Sequence, residues 1–275
     1  MITGETVAAL VAAQFPQWRS LPVHPVLSHG TVNAIFRLGT DIMLRFPLRP
    51  SPAAAAELAA EQDHARMIGS PSPLGLGAPG PGYPGAWSAW RWIPGRPATP
   101  ADAIAGDLAA YVQHLRALPT GGRTWNGRSR GGPLHLRDAD VRQALAASTD
   151  LVDTARLAAV WQDSCAAPPH PGPDVWLHAD LMPGNLLVRN GRLAAVIDLG
   201  TVCIGDPAVD LMPAWNLFPP AARAAYRAAL TPDDAEWARG RGWALCQAIV
   251  ALPYYLHTNP VMAGTARHTL AALVG

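Results

Sequence analysis

Residues 178–200 read HADLMPGNLLVRNGRLAAVIDLG, and the rest of the chain is organised around them. Asp180 stands five residues before Asn185, and Asp198 follows thirteen residues later. The apolar runs near 186–189 and 193–197 predict two strands about an Asn190-Gly191 turn, because Asn-Gly readily takes the positive φ angles a tight hairpin demands. Asp198 closes the run AAVI. A carboxylate there costs several kcal/mol if it is buried unpaired, and a bound cation would relieve that cost.

Upstream, residues 1–18 read as an amphipathic helix, with Val7, Leu10, Val11 and Phe15 at helical spacing. A first strand ends near Leu27, Ala34–Leu38 forms a second and Asp41–Phe46 a third, after the Gly39-Thr40 turn. Ala53–Ile68 is helical in composition and ends at Gly69, and the Pro/Gly-rich run 70–85 is a loop with one short strand. Trp87–Ile93 is an apolar strand closed by Pro94-Gly95. Beyond it the chain turns mainly helical. Thr99-Pro100-Ala101-Asp102 carries helix-start chemistry for a helix to about Leu118, and Thr231-Pro232-Asp233 repeats it. Helices are expected near 138–148 and 153–166. This order predicts an α+β chain: a small β-rich part over residues 1–93 and a larger helical part over 94–275.

The 275 residues are 49% hydrophobic and 15% charged, with a net charge of +1. That balance argues against nucleic acid or an acidic membrane surface as partner. No run of eighteen apolar residues and no signal-peptide core occurs, and the three cysteines, Cys165, Cys203 and Cys246, form no CxxC pair. The expectation is a soluble cytoplasmic protein with reduced thiols. All 21 basic residues are Arg; the chain has no Lys.

The spacing of Asp180, Asn185 and Asp198 matches the catalytic loop H-R-D-x-x-x-x-N and the metal-binding D-F-G of kinases. Phosphoryl transfer needs one carboxylate to orient a substrate hydroxyl and oxygen ligands to hold Mg²⁺ against the ATP phosphates. Asp180 is the candidate base, and Asn185 and Asp198 are the candidate metal ligands. His178 is expected to brace the loop. Arg45, in MLRFP, occupies the place of the kinase strand-three Lys. Its partner carboxylate should come from helix 53–68, where Glu61, beside the Leu58, Ala65 and Ile68 stripe, is preferred to Glu57. His29-Gly30-Thr31-Val32-Asn33 lies where a phosphate-covering loop belongs, so Gly30, Thr31 and Asn33 are candidate nucleotide contacts. Gly205–Asp210 reads as a helix-entry turn with Asp caps, and Arg123, Arg128 and Arg130 as a solvated, mobile basic loop.

On these residues the chain resembles the aminoglycoside phosphotransferase family, small-molecule kinases of bilobal protein-kinase-like fold. HADLMPGNLLV resembles the family's H-G-D-x-x-x-x-N-[LV]-L-V, and IDLG with GDPAVDL resembles its metal-binding Asp and following G-D-P-x-x-D-L. GTVNAIFRLG and MLRFP look like its nucleotide loop and third strand, and WSAWRWIPGRPAT like its hinge. The resemblance implies transfer of the γ-phosphoryl group of ATP, or GTP, to a small-molecule hydroxyl, as in antibiotic resistance, with Trp92 and Ile93 as hinge contacts to the nucleotide. Three departures stand out. Ala179 replaces the usual Gly, Arg45 replaces the commoner Lys, and only 20 acidic residues face the prospect of a polycationic substrate. A neutral or weakly charged hydroxyl compound is at least as good a fit as an aminoglycoside. The competing readings are a pseudokinase, which Arg45 would support, and a protein kinase, against which the short segment after Asp198 and the missing A-P-E count.

Overall fold

Every second residue of Ile42–Pro47 is buried, and that alternation organises the N-terminal half of the chain. The computed structural model describes residues 2–27 and 32–275. It divides into two compact units, one of Met1–Pro94 with Ala195–Gly200 and one of Gly95–Ala194 with Thr201–Gly275. In the first unit, helix α1 (Gly4–Gln14) is followed by strands β1 (Val23–Val26), β2 (Asn33–Leu38) and β3 (Ile42–Pro47). Helix α2 (Ala54–Ile68) and strands β4 (Pro73–Gly77) and β5 (Trp87–Arg91) complete it. The strands form one antiparallel sheet in the order β1-β2-β3-β5-β4.

Period-two alternation sends Leu44 and Phe46 of β3, with Phe36 and Leu38 of β2, into a core shared with Val7, Leu10 and Val11 of α1. Each such side chain, fully buried, contributes roughly 1.5–3 kcal/mol. The intervening residue, Arg45, is thereby sent to the opposite side, where α2 supplies its partner. Helix α1 stops short of residue 18. Pro16 opens a separate 3₁₀ turn, and the rings of Phe15 and Trp18 stack with centroids 4.5 Å apart. Helix α2 ends on Gly69, whose φ of 92° lets its N–H close on the Ala65 carbonyl.

The second unit opens with β6 (Arg96–Pro97) and helices α3 (Ala105–Ala117), α4 (Asp138–Ala146) and α5 (Thr154–Ala166). Strands β7 (Val175–Leu177), β8 (Leu186–Arg189), β9 (Arg192–Val196) and β10 (Cys203–Gly205) follow, the last residues of β9 counting with the first unit. Helices α6 (Pro213–Asn216), α7 (Pro220–Leu230), α8 (Asp234–Tyr255) and α9 (Pro260–Val274) end the chain. Strands β8 and β9 are joined by Asn190 and Gly191, at φ 53° and 74°, the left-handed pair the sequence predicts. Helix α8 is the centre of this unit. A Cβ on Gly240 would lie 2.7 Å from Leu211 Cβ, and one on Gly242 would lie 2.7 Å from Ser164 Cβ, so only glycine admits these approaches.

Two helix starts differ from the sequence reading. Thr99 caps no helix: Asp102 accepts from the Thr99 amide (2.8 Å) and hydroxyl (2.9 Å) and binds Arg96, closing a turn before α3 begins at Ala105. Thr231 ends α7 in left-handed conformation, and Asp233 is the residue that caps α8. No helix of the described residues is long and apolar enough to cross a membrane.

Candidate active site

The chemistry-bearing residues form two clusters, one in each unit. In the first, Arg45 reaches Glu61 at 2.5 Å through Nη1 and Asp198 at 3.4 Å through Nη2. Glu61, not Glu57, is the carboxylate that meets it. The Arg45 and Glu61 side chains are 11% and 5% exposed, whereas that of Asp198 is 47% exposed and open to a ligand. Burial works against the charged guanidinium, but the two carboxylates outweigh it and hold its pKa above the ordinary value. Helix α2 also grips the segment carrying Asp198. Glu61 Oε1 accepts from the Leu199 amide at 3.2 Å, and His64, three residues on, meets the Leu199 carbonyl at 3.2 Å. Asp198 itself is left-handed, at φ 66°, a conformation Asp tolerates better than most residues.

In the second cluster Asn185 Nδ2 donates to the Asp180 carbonyl at 2.9 Å and to its carboxylate at 3.2 Å. The other carboxylate oxygen accepts from Arg130 at 2.6 Å, and Arg130 also donates to the Ala179 carbonyl at 2.8 Å. Arg130 is thus an ordered partner of the candidate base, not part of a mobile basic loop. Arg123 stacks on Trp176, 4.7 Å from the ring centroid, and the Arg128 side chain is exposed.

The backbone of this loop is held by a residue that sequence reasoning assigned to a helix cap. Asp210 is fully buried and accepts from the amides of His178 (2.9 Å) and Ala179 (2.8 Å). Burial raises its pKa, against the opposing pull of His178, the two amides and Arg116. Tyr226 donates to the Asp210 carbonyl at 2.7 Å, and Thr201 to that of His178 at 2.9 Å. His178 has no exposed surface and its Nδ1 lies 3.3 Å from the Asp180 amide, as expected of a bracing residue. Ala179 sits at φ 62°, where glycine would be unstrained. Asp206 does cap, through Ala208 N, but it also forms a buried pair with Arg239 at 2.6 Å.

The chain matches the model of the phosphotransferase enzyme family (APH) over residues 24–243. It belongs to that family. The fold places it with solved members. The GDP complex of wild-type aminoglycoside 2'-phosphotransferase-IIIa superposes with a TM-score of 0.73 at 18% identity, covering 99% of both chains. Macrolide 2'-phosphotransferase MphH from Brachybacterium faecium gives 0.61 at 22% identity, with 97% of each chain covered. A thermostable mutant of aminoglycoside phosphotransferase APH(4)-Ia, in ternary complex with AMP-PNP and hygromycin B, gives 0.64 at 18% identity over 98% of each. No curated protein matches the sequence. The α+β architecture of a β-rich N-terminal part and helical C-terminal part is the kinase-like fold of these structures.

Of the remaining nucleotide candidates in this phosphotransferase, Gly30 and Thr31 lie outside the described residues. Asn33 opens β2 opposite Pro47, two residues from Ile35, the cross-strand partner of Arg45. The Trp92 ring lies 4.7 Å from the Arg37 guanidinium and helps line an open depression of about 570 Å³ with His24, Val26 and Thr40. Its amide is already bonded to the Asp41 carbonyl at 2.7 Å. Ile93 follows it, partly buried.

The Mg²⁺ that the family implies can be tested against the donors present. Among the described residues no group of three or more His, Cys, Asp or Glu could hold a metal. Asp198 and the amide oxygen of Asn185 are hard oxygen donors, one carboxylate and one neutral. Each by its chemistry suits a hard cation such as Mg²⁺ better than a soft metal.

Proposed function

We propose that this phosphotransferase moves the γ-phosphoryl group of ATP, or GTP, to a hydroxyl of a small molecule. The first unit carries the nucleotide contacts, including Arg45, Glu61, Gly30, Thr31, Asn33, Trp92 and Ile93, and the second carries Asp180 and the acceptor contacts. Asn185 and Asp198 would hold Mg²⁺, which when bound neutralises charge on the phosphate oxygens. Asp180 orients the acceptor hydroxyl and takes its proton. Asn185 and Arg130 fix the Asp180 rotamer, so that the carboxylate is presented without reorganisation.

The observation that carries this reading over a nucleotide-binding chain without turnover is the pairing of Arg45 with Glu61 and Asp198. Arg in place of Lys is the departure that would mark a degenerate site, yet here the cation is buried and joined to the expected carboxylate. The short stretch from Asp198 to β10 leaves no space for the long activation loop of a protein kinase. Three free thiols fit a cytoplasmic protein. The related structures that hold kanamycin or hygromycin B make aminoglycosides, with macrolides, the first compounds to assay in a resistance role.

The test is acceptor-dependent ADP release from MgATP across a panel of hydroxylated metabolites and antibiotics, with Asp180→Asn as the inactive control. Turnover with any acceptor, lost in the control, is expected. Tight MgATP binding with no acceptor-dependent turnover across the panel would favour the pseudokinase reading.

A further inference from the structure

The loop that carries Arg130 also forms one wall of a cavity of about 250 Å³, lined by Trp125, Arg128, Leu136, Arg137 and Trp243. The loop is internally built. Asn126 Oδ1 accepts from the Arg128 amide and from the amide and hydroxyl of Ser129, at 2.8–2.9 Å. Trp125 donates to the Ser129 carbonyl (2.8 Å), its amide is held by Asp174 (2.7 Å), and its indole lies flush on Gly132. A Cβ at Gly132 would fall 2.3 Å from that ring, so the wall needs glycine there.

The cavity's charged lining is entirely cationic. Among the described residues Arg137 pairs with exposed Asp140 at 3.6 Å, a weak pair three residues apart on the surface. Trp243, also in the lining, is 2% exposed. The two guanidiniums are donors with the fork geometry that suits an oxyanion. The cavity shares a helix and a loop with contacts to the candidate base. Gln247, four residues along α8 from Trp243, reaches the Ala179 carbonyl at 3.4 Å. Four residues of helix rise about 6 Å, and Arg130, on the same loop, touches Asp180.

We propose that the acceptor of this phosphotransferase is an anionic alcohol, whose carboxylate or phosphate is bound by Arg128 and Arg137. The hydroxyl would sit about one helical turn away at Asp180. This rests on the phosphotransfer reading above and adds the acceptor class. A polycation would bring ammonium groups against two guanidiniums, a like-charge contact in a partly desolvated site. In transfer, the bond from the γ-phosphorus to the β–γ bridging oxygen of ATP breaks. A bond to the acceptor's hydroxyl oxygen forms, the hydroxyl proton passes to Asp180, and ADP leaves.

Three probes of one shape separate the charge states: para-(hydroxymethyl)benzoate, its methyl ester, and para-(aminomethyl)benzyl alcohol. Calorimetry on the full chain should find the carboxylate bound at least about tenfold more tightly than the ester, the gain of one charge-assisted hydrogen bond, and the amine most weakly. Arg128→Gln and Arg137→Gln should each weaken the carboxylate by about five- to tenfold and leave the ester unchanged. In turnover assays the same variants should raise KM for the carboxylate with little change in kcat, the mark of a binding contact. Thermal midpoints confirm that each variant is folded. Equal or tighter binding of ester or amine, no binding of the carboxylate, or an Arg128→Gln/Arg137→Gln double variant with undiminished carboxylate affinity would overturn the proposal. MgATP is titrated in parallel. Its failure to bind would remove the phosphotransfer reading, a result independent of how the three probes rank.

Discussion

Replacing Arg45 by Met and Glu61 by Leu, singly and together, separates what their buried pair does for folding from what it does for nucleotide. With side chains 11% and 5% exposed, neither ion can be left alone cheaply. Arg45→Met strands Glu61 with one amide partner, Leu199 N, and should cost about 3–5 kcal/mol. Glu61→Leu leaves Arg45 the longer bond to half-exposed Asp198 and the Trp90 ring 5.9 Å away, and it orphans the Leu199 amide, so a similar loss is expected. The double variant removes both charges, and what remains unpaid is mainly the Leu199 N–H, worth about 1–3 kcal/mol. The sum of the singles therefore exceeds the double by about 3 kcal/mol or more, read from urea unfolding. MgATP affinity, measured by calorimetry, should fall in all three. Additive stabilities within about 0.5 kcal/mol would refute the coupling. A double variant that recovers MgATP affinity along with stability would show that the pair serves the fold and not the nucleotide.

Asp210→Asn offers one amide oxygen where two backbone N–H groups need acceptors, so it should cost about 1–3 kcal/mol and lower kcat more than it raises KM. An unchanged kcat would free the loop geometry from Asp210. The Arg96 and Thr99 contacts hold the Asp102 carboxyl below its ordinary range. With the folded pKa depressed, this stabilisation is complete above the unfolded value near about 4 and is lost as pH falls towards the folded one. Asp102→Asn should therefore flatten the acid limb of a stability-against-pH curve, and an unaltered limb would refute the assignment. Burial pushes the Cys203 and Cys246 thiols up to about 11, and Cys165 is raised less. Thiol-disulfide reagents at pH 8 should label Cys165 first in the native protein, and rapid labelling of the other two would contradict their burial.

What could be read from the chain was what is local. The interval between Asn185 and Asp198 is set by a hairpin, whose Asn190-Gly191 turn is written in two residues. Glu61 follows from one helix face. Asp210 did not, since its role depends on amides 31 and 32 residues away, and a cap explains an Asp before a helix equally well. Arg130 was missed for the same reason, its partner lying 50 residues on. The false start at Thr99 shows local competition: the capping signal is genuine, but Asp102 spends the Thr99 amide on a turn because Arg96 is there to share its charge.

The charges around these residues make a case for the metal that does not depend on family likeness. Glu61 and Asp198 carry two negative charges against the single positive charge of Arg45, so that cluster is net negative. Arg130 pairs with Asp180, so that pair is neutral. A polyphosphate brought to Asp198 without a cation would meet repulsion, because Arg45 is already committed to holding the two carboxylates in place. On the proposed mechanism Arg45 ties Asp198 as well as facing the nucleotide, and a divalent cation would supply the attraction that this cluster lacks. Asp198→Asn should accordingly do opposite things to the two forms of nucleotide. MgATP affinity falls as the carboxylate ligand is lost, while metal-free ATP, titrated in chelator, binds more tightly than to the native chain as the repulsion is lifted. If both forms weaken alike, the repulsion argument fails and Asp198 supports binding through the structure of its turn.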